Sequence, residues 1–499
     1  MLRKFKTVIY RFEEDYPVHT WKYGGMDVWP IFRTLVFVEY RNRTISNING
    51  VVMDWKKAPR NKRFSVVGIF RRYAGMVKNK FFSGFRPLPK ATPVDVMLFG
   101  SWYFRTMHEG KFINRFFEPI SQLLKGRYSS PPLFVEYSVH NKFKEEYKKH
   151  KDSLLLFNEL KGMSKGKLPD NDIRESDFFK NFFKNLDKDI FNHQEINLIA
   201  SKIEKIYLDS MVYEKLFRTY TPKYAFCLTF FNEAMFAMLF ASSKTGVISV
   251  DIGHGFPIEP DNLIYNKLGN VPQQGYNTLP AIYWVWDEPI KEAMSSWVSK
   301  QNHHDVIVGG NPWLEFSRNE IKKTFLANRK VVLYTMSINL PEEYIIDALQ
   351  QTQEAYEWWI RLHPSLSTSL QQVDEILKDR GVTNYNLHDA NESALPELLC
   401  NCDVHISRNS SSIYESIFYG NRPIIIDEEG SKYYSKYIVE GKAFSCVGEN
   451  SQELVELIRL LPPASIDKQL KPEMYKVALD LLMKKEPKKK MSINSNESR

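Results

Sequence analysis

A chain of 499 residues exceeds the ordinary size of one domain, so two large domains or three smaller ones are expected. Hydrophobic residues at 43% and charged residues at 25% exclude a disordered chain, and a formal net charge of +9 from 68 Lys and Arg against 59 Asp and Glu is too modest to point to a nucleic-acid partner. Four cysteines, Cys227, Cys400, Cys402 and Cys446, are too few for a disulfide scaffold and form no C-x-x-C pair, which suits a reducing, cytoplasmic setting.

Residues 1–16 are basic but lack an apolar run and a small-residue cleavage site, so they do not read as a signal peptide. An aromatic stretch with Trp21, Tyr23, Trp29, Pro30 and Arg33 follows and reads as helices and loops. Positive charge then concentrates in residues 55–90, with Lys56, Lys57, Arg60, Lys62, Arg63, Arg71 and Arg72 among them, and returns in residues 484–490. Such clusters suit anionic lipid head groups, phosphorylated substrates or nucleic acid, and the expectation is peripheral contact with an anionic membrane surface and no nucleic acid.

Pro87, Pro89 and Pro93 mark a boundary, after which residues 94–100 read as a buried strand entering a polar loop. Arg105, His108, Glu109, Lys111, Asn114 and Arg115 crowd that loop, where an acceptor or a donor carboxylate can be met. A strand over 133–135 follows. Residues 140–191 are dense in Lys, Glu and Asn and read as surface helices or an insertion without chemistry. A helix over 197–217, a strand over 224–230, a helix from Asn232 and strands over 246–251 and 281–285 then alternate, as parallel strands joined by crossover helices do. Residues 224–241 are the nearest approach to a membrane span, but Asn232 and Glu233 divide them into strand and helix. His303 and His304 read as a solvent loop.

A second series of strands is expected over 306–309, 331–335, 358–362, 384–387, 404–407 and 423–426, each short, apolar and followed by a polar loop or helix. The expected architecture is α/β, with two Rossmann-like domains facing a cleft. Residues 1–300 form the amino-terminal, acceptor-side domain with helical insertions, residues 301–465 the nucleotide-binding domain, and residues 466–499 a terminal helix and basic tail. No G-x-G-x-x-G follows a strand and no P-loop occurs, so phosphate must be held another way.

Four segments carry candidate chemistry. Arg361-Leu362-His363-Pro364 ends a strand with a guanidinium that suits phosphate or carboxylate and an imidazole that can donate to a phosphate oxygen. Ser410, Ser411 and Ser412 open a helix and offer hydroxyls and free N–H groups to an anion, with Glu415 one turn on, where it can accept from a ribose diol. Asp251-Ile252-Gly253-His254-Gly255 ends a strand with a carboxylate and an imidazole, either of which can act as acid, base or nucleophile, while Gly253 and Gly255 permit close backbone approach or positive φ. Thr335 and Ser337 end the strand that follows the opening strand of the second series, near the domain interface, and can touch the donor phosphate. No set of His, Cys and acidic residues is spaced for a metal.

Together, D-x-G-H-G, G-N-P at residues 310–312, R-x-H-P and the S-S-S-x-x-E run leading to Gly420 and Pro423 resemble the GT-B glycosyltransferases of bacterial capsule, lipopolysaccharide and exopolysaccharide synthesis. The similarity is greatest to the group containing Kdo transferases and CDP-glycerol polymerases, is looser to bacterial sialyltransferases, and covers residues 221–461. It implies a nucleotide-sugar donor, a glycan or lipid-linked acceptor and no resident cofactor or metal. It implies that His363 and Ser410–Ser412 hold the donor phosphate, that Glu415 holds the ribose, and that the loop from Asp251 to Gly255 faces the reacting centre. The usual form of that loop has Gln where this chain has Gly253.

Overall fold

The computed structural model describes residues 2–48, 92–108, 110–128, 130–138, 140, 146, 154–156, 166–186, 190–255, 262–265, 268–318, 329–363, 366, 368–461 and 474–484. The basic segment 55–90 and the tail beyond 484, on which the expected membrane contact rests, lie outside the described residues.

The amino-terminal segment consists of helix α1 (Leu2–Asp15), the hairpin β1 (Lys22–Tyr23) and β2 (Met26–Asp27), and helix α2 (Trp29–Ile48). Its aromatic cluster is core: Trp21, Tyr23, Trp29 and Phe32 are buried, and the Trp29 indole and the Arg33 guanidinium both donate to Glu13. After it come strand β3 (Val96–Ser101), the hairpin β4 (Arg105–His108) and β5 (Lys111–Asn114), helix α3 (Phe117–Leu124) and strands β6 (Leu133–Ser138) and β7 (Leu154–Leu156). Helices α4 (Asp177–Lys184) and α5 (His193–Tyr220), strand β8 (Tyr224–Leu228), helix α6 (Glu233–Thr245), strands β9 (Ile248–Ile252) and β10 (Ile282–Val285), helix α7 (Glu288–Val298), strand β11 (Asp305–Val308) and helix α8 (Pro312–Arg318) complete this half.

Local chemistry sets these boundaries. Asn192 and Glu195 form a capping box at the start of α5, and Asn232 caps α6, which stops at Gly246 with φ +79°. All five residues of β8 are buried because helices cover both faces of its sheet, which is why the strand reads as a continuous apolar run.

The first sheet has the order β11-β10-β9-β8-β3-β6-β7 and is parallel throughout. Two sequence expectations change here. The strand read as the start of the second series is β11, which pairs with β10 at the edge of the first sheet, so that sheet runs past residue 300. Residues 154–156, within the stretch given no strand, form the opposite edge.

The second half comprises β12 (Lys330–Met336), α9 (Glu343–Thr352), β13 (Tyr356–Leu362), α10 (Leu370–Asp379), β14 (Tyr385–Asn386), α11 (His388–Glu392), α12 (Leu395–Asn401) and β15 (Val404–Ser407). It continues with α13 (Ser412–Phe418), β16 (Ile424–Ile425), α14 (Glu428–Tyr433), α15 (Ser435–Val439), β17 (Phe444–Ser445) and α16 (Ser451–Leu460), and α17 (Met474–Met483) ends it. Its parallel sheet has the order β14-β13-β12-β15-β16-β17. Both sheets reverse their strand order once, the first between β3 and β8 and the second between β12 and β15. A crevice opens at the carboxyl ends of the strands at such a reversal, and that is where open α/β sheets bind ligands.

Several contacts among the described residues join the halves. Ile113 of β5 and Trp313 of α8 leave the first core for an apolar cluster with Leu333 and Trp359 of the second half. The Tyr414 ring lies 5.2 Å from that of Trp286, and Tyr437 donates to Asp287. Helix α17 crosses back and buries Tyr475, Ala478, Leu479 and Leu482 in the core of the first domain. The Lys436–Glu292 ion pair also spans the halves, but both side chains are exposed and water screens it, so the apolar and buried contacts set the orientation. Among the described residues no helix is long and apolar enough to cross a membrane, and residues 224–241 divide into β8 and α6.

Candidate active site between the two sheets

At the second reversal point, Thr335 at the end of β12 faces Ser407 at the end of β15. Thr335 Oγ1 donates to Ser407 Oγ at 2.8 Å and lies 3.0 Å from His405 Nε2. With its one proton given to Ser407, Thr335 accepts from the imidazole, and His405 is held neutral, its pKa pushed down to about 3 by burial. The chain of hydroxyls continues from Ser407 to Ser412 at 3.4 Å and from Ser412 to Ser410 at 2.9 Å. The expected group of Thr335, Ser410 and Ser412 is therefore one network, to which His405 and Ser407 are added. Ser411 is half-buried beside it, at the start of α13, and Ser337 is exposed just past β12.

Arg361 and His363 stand at the end of β13, the neighbour of β12. The guanidinium is anchored, its Nη1 donating to Ala390 O at 2.8 Å and Ser393 O at 2.6 Å, where the carbonyls at the end of α11 need a donor. Its charge still reaches Glu415. His363 is exposed at the mouth of the crevice, and partial burial lowers its pKa. Glu415 lies on α13 with no hydrogen bond to its carboxylate among the described residues. Burial pushes its pKa up to about 7 against the pull of Arg115 and Arg361. Arg408, in the same segment, is turned away onto Glu342 at 2.5 Å.

Across the cleft, β9 separates the two candidates that the sequence treats together. Asp251 is sealed in the first core, accepting from Phe230 N at 3.1 Å with the Cys227 thiol 3.8 Å away, and burial raises its pKa to about 8. A neutral carboxyl closed off from the cleft does not face a reacting centre, so the expectation that Asp251 does so is corrected. The same burial has a thermodynamic signature. A group whose folded pKa lies above its unfolded value contributes stability that is fully present below the unfolded pKa, near 4, and is lost as pH rises through about 8. Denaturant melts should show stability falling over this window by up to ~1.4 kcal/mol per pH unit, a slope that Asp251→Asn flattens; equal slopes in the two proteins would refute the burial argument.

His254, two residues beyond β9, is in the cleft. Its ring sits between Phe104 at 5.6 Å and Phe231 at 5.8 Å, and its buried Nδ1 has no hydrogen-bond partner. Burial, with the nearby charge of Arg115 second, lowers its pKa to about 4, so the imidazole is neutral at pH 7. Neither glycine of the loop has positive φ. Gly253 is closely packed: its N–H donates to Trp284 O at 2.8 Å, its carbonyl accepts from Trp286 Nε1 at 2.6 Å, and a Cβ would lie 3.2 Å from Trp284 O. The Gln of the usual motif would fit only if Trp284 gave way by a few tenths of an ångström. A Cβ on Gly255 would meet open space.

The segment after β3 is a hairpin and not an open loop, and its tight pairing explains two corrections. Arg105 is buried in an ion pair with Glu136 of β6, with Nε and Nη2 both 3.0 Å from Oε1 and Nη1 donating to Phe112 O at 2.7 Å. It has no face for an acceptor. His108 packs its ring against Trp313 at 5.5 Å and serves the interface with α8. Among the described residues of this segment, it is Arg115, just past β5, whose charge acts on both His254 and Glu415. In the sequence Arg115 is one of six polar residues in a short stretch, and no local signal separates it from the other five. Among the described residues no three His, Cys, Asp or Glu side chains converge as for a metal ion.

No protein-family model and no curated protein matches the chain. Solved structures do match. UDP-GlcNAc 2-epimerase from Neisseria meningitidis, bound to UDP-GlcNAc, superposes with a TM-score of 0.52 at 16% identity, covering 79% of this chain and 100% of its own. UDP-GlcNAc 2-epimerase from Methanocaldococcus jannaschii gives 0.48 at 10% identity over 78% and 99%, and a UDP-glucosyltransferase from Polygonum tinctorium 0.42 at 12% over 79% and 96%. At such identities the likeness speaks for architecture alone. Two parallel sheets, each reversed once, with their carboxyl ends turned to a shared cleft and a terminal helix crossing back, give this chain the GT-B fold.

Proposed function

We propose that the chain is a glycosyltransferase that moves a sugar from a nucleotide-activated donor to a growing surface glycan or lipid-linked acceptor, without a bound metal or cofactor. The observation that carries this reading is that the charge of Arg115 acts on both His254, past the end of a first-sheet strand, and Glu415, on a helix of the second half, while the buried Nδ1 of His254 has no hydrogen-bond partner among the described residues. In this reading the donor nucleotide lies over the second reversal point. Its phosphate meets Ser410, Ser411, Ser412, Thr335, Ser337 and His363 under the positive field of Arg361, while Glu415 accepts from the ribose diol. The acceptor oxygen attacks the anomeric carbon, the bond from that carbon to the phosphate oxygen breaks, and the nucleotide leaves with the electron pair. The acceptor proton passes to the neutral imidazole of His254. Arginine charge stabilises the departing phosphate, and such electrostatic stabilisation is often what lowers the barrier most.

The motif resemblance favours a CMP-Kdo-like donor and a cytoplasmic enzyme at the inner face of the membrane, with CDP-glycerol-type polyol-phosphate transfer or UDP- or GDP-hexose transfer as the alternatives. A thermal-shift panel of CMP, CDP, UDP, GDP and ADP separates them, since a ligand at a hundred times its Kd stabilises by about 2.7 kcal/mol. A CMP-selective shift that His363→Ala diminishes supports the Kdo-like donor, and phosphorus in the product supports polyol-phosphate transfer. No shift with any nucleotide would remove the transferase reading.

A further inference from the structure

Arg115 is fixed to the first domain and aimed at the second. Its backbone N–H donates to Phe104 O at 3.1 Å, and its guanidinium lies 5.3 Å from the Phe116 ring. Its Nε is buried without a hydrogen-bond partner, as is Nδ1 of His254, and the Glu415 carboxylate accepts no hydrogen bond among the described residues. A buried polar group left without a partner costs about 1–3 kcal/mol. Two of them, from two separate segments, with the Glu415 carboxylate within reach of the Arg115 charge, mark a space that a ligand completes. Arg115 and Arg361 against Glu415 leave one positive charge over, so that ligand is an anion, and a phosphate oxygen matches the donor fork of a guanidinium.

We infer that Arg115 couples donor binding to proton transfer: a donor phosphate paired with its guanidinium cancels the repulsion it exerts on His254, so the imidazole becomes an effective base only once the donor is in place. This rests on the reading of His254 as proton acceptor. The rings packed on His254, Phe104 and Phe231, carry no charge, and Arg115 is the charged group that acts on it electrostatically among the described residues. Arg115 N is bonded to Phe104 O and the Phe104 ring packs on His254, and neutralising a like charge near an imidazole moves its pKa up, by about one unit for a close neighbour. The device predicts that donor binds first and that an acceptor hydroxyl is not activated in an empty site, which suppresses unproductive chemistry on the acceptor.

Inorganic pyrophosphate tests this without any assumption about base or sugar. The His254 titration is followed by NMR of 13C-labelled histidine Cε1, assigned with His254→Gln. Saturating pyrophosphate should raise the wild-type midpoint by about one unit. Arg115→Gln should raise it in the empty protein and abolish the response, whereas Arg115→Lys, which keeps the charge, should retain the low midpoint. A wild-type midpoint that pyrophosphate leaves unchanged overturns the inference, as does an Arg115→Gln midpoint equal to wild type. If Arg115→Gln does not fold, the wild-type pyrophosphate arm and Arg115→Lys still decide. The nucleotide panel fails or succeeds separately: a chain that responds to pyrophosphate and to no nucleotide keeps the coupling and loses the transferase reading.

Discussion

Replacement of His254 by alanine is expected to reduce sugar transfer by about 10²–10⁴-fold while the nucleotide-induced thermal shift persists. The two readouts divide because His254 belongs to the first sheet and the nucleotide is proposed to rest on the second. Loss of proton acceptance lowers the rate of the chemical step, whereas the hydroxyl network from Thr335 to Ser410 and the charge of Arg361 are untouched. His254→Gln serves as the companion variant, since it fills the gap between Phe104 and Phe231 more nearly than alanine and still cannot take the proton. Because the reacting form is the neutral imidazole, activity should be flat at neutral pH and fall as pH drops toward the midpoint, which lies at about 4 in the empty protein and higher with donor bound. Asp251→Asn should retain transfer. The reverse pattern, activity kept in His254→Ala and lost in Asp251→Asn, would return the role to the carboxylate.

The contrast between Asp251 and His254 shows how far the sequence is legible. A strand that ends in D-x-G-H-G can be recognised from its apolar run and its glycines, and β9 ends at Ile252, one residue from where the run predicts. Which of the two titratable groups faces the cleft depends on strand parity and on the neighbours Cys227, Phe230 and Tyr265, which come from other elements. The strands of the second sheet are readable for the reason that β15 is, with its four residues all buried between helices. The place where one sheet gives way to the next is not, because β10, α7 and β11 have the same local pattern on either side of residue 300 and it is the pairing of β11 with β10, from Ile282 with Asp305 to Val285 with Val308, that assigns β11. His304 teaches the same point. Its sequence context reads as solvent loop, yet it is buried and accepts from Tyr276 N at 2.9 Å, a role fixed by a partner 28 residues away.

Substitution of Arg105 by alanine is expected to destabilise the first domain by about 3–5 kcal/mol, because it leaves Glu136 buried and unpaired in the core of the sheet. Both side chains are almost fully enclosed, at 2% and 0% exposure, so solvent cannot take over the lost contacts. The pair by itself is no great source of stability, since desolvation offsets most of its attraction. Replacing both partners by apolar groups, as in Arg105→Met with Glu136→Leu, should therefore recover most of the loss, provided that the Phe112 carbonyl regains a donor from water. The functional consequence runs through the hairpin. Arg105 ties β4 to β6 and to the carbonyl of Phe112 on β5, and β5 leads directly into Arg115. A loosened hairpin is thus expected to weaken the pyrophosphate response of His254 even at temperatures where the variant remains folded. If Arg105 instead contacts the acceptor, as its sequence context suggests, Arg105→Ala would raise the acceptor KM with little change in melting temperature, and urea denaturation beside steady-state kinetics distinguishes the two.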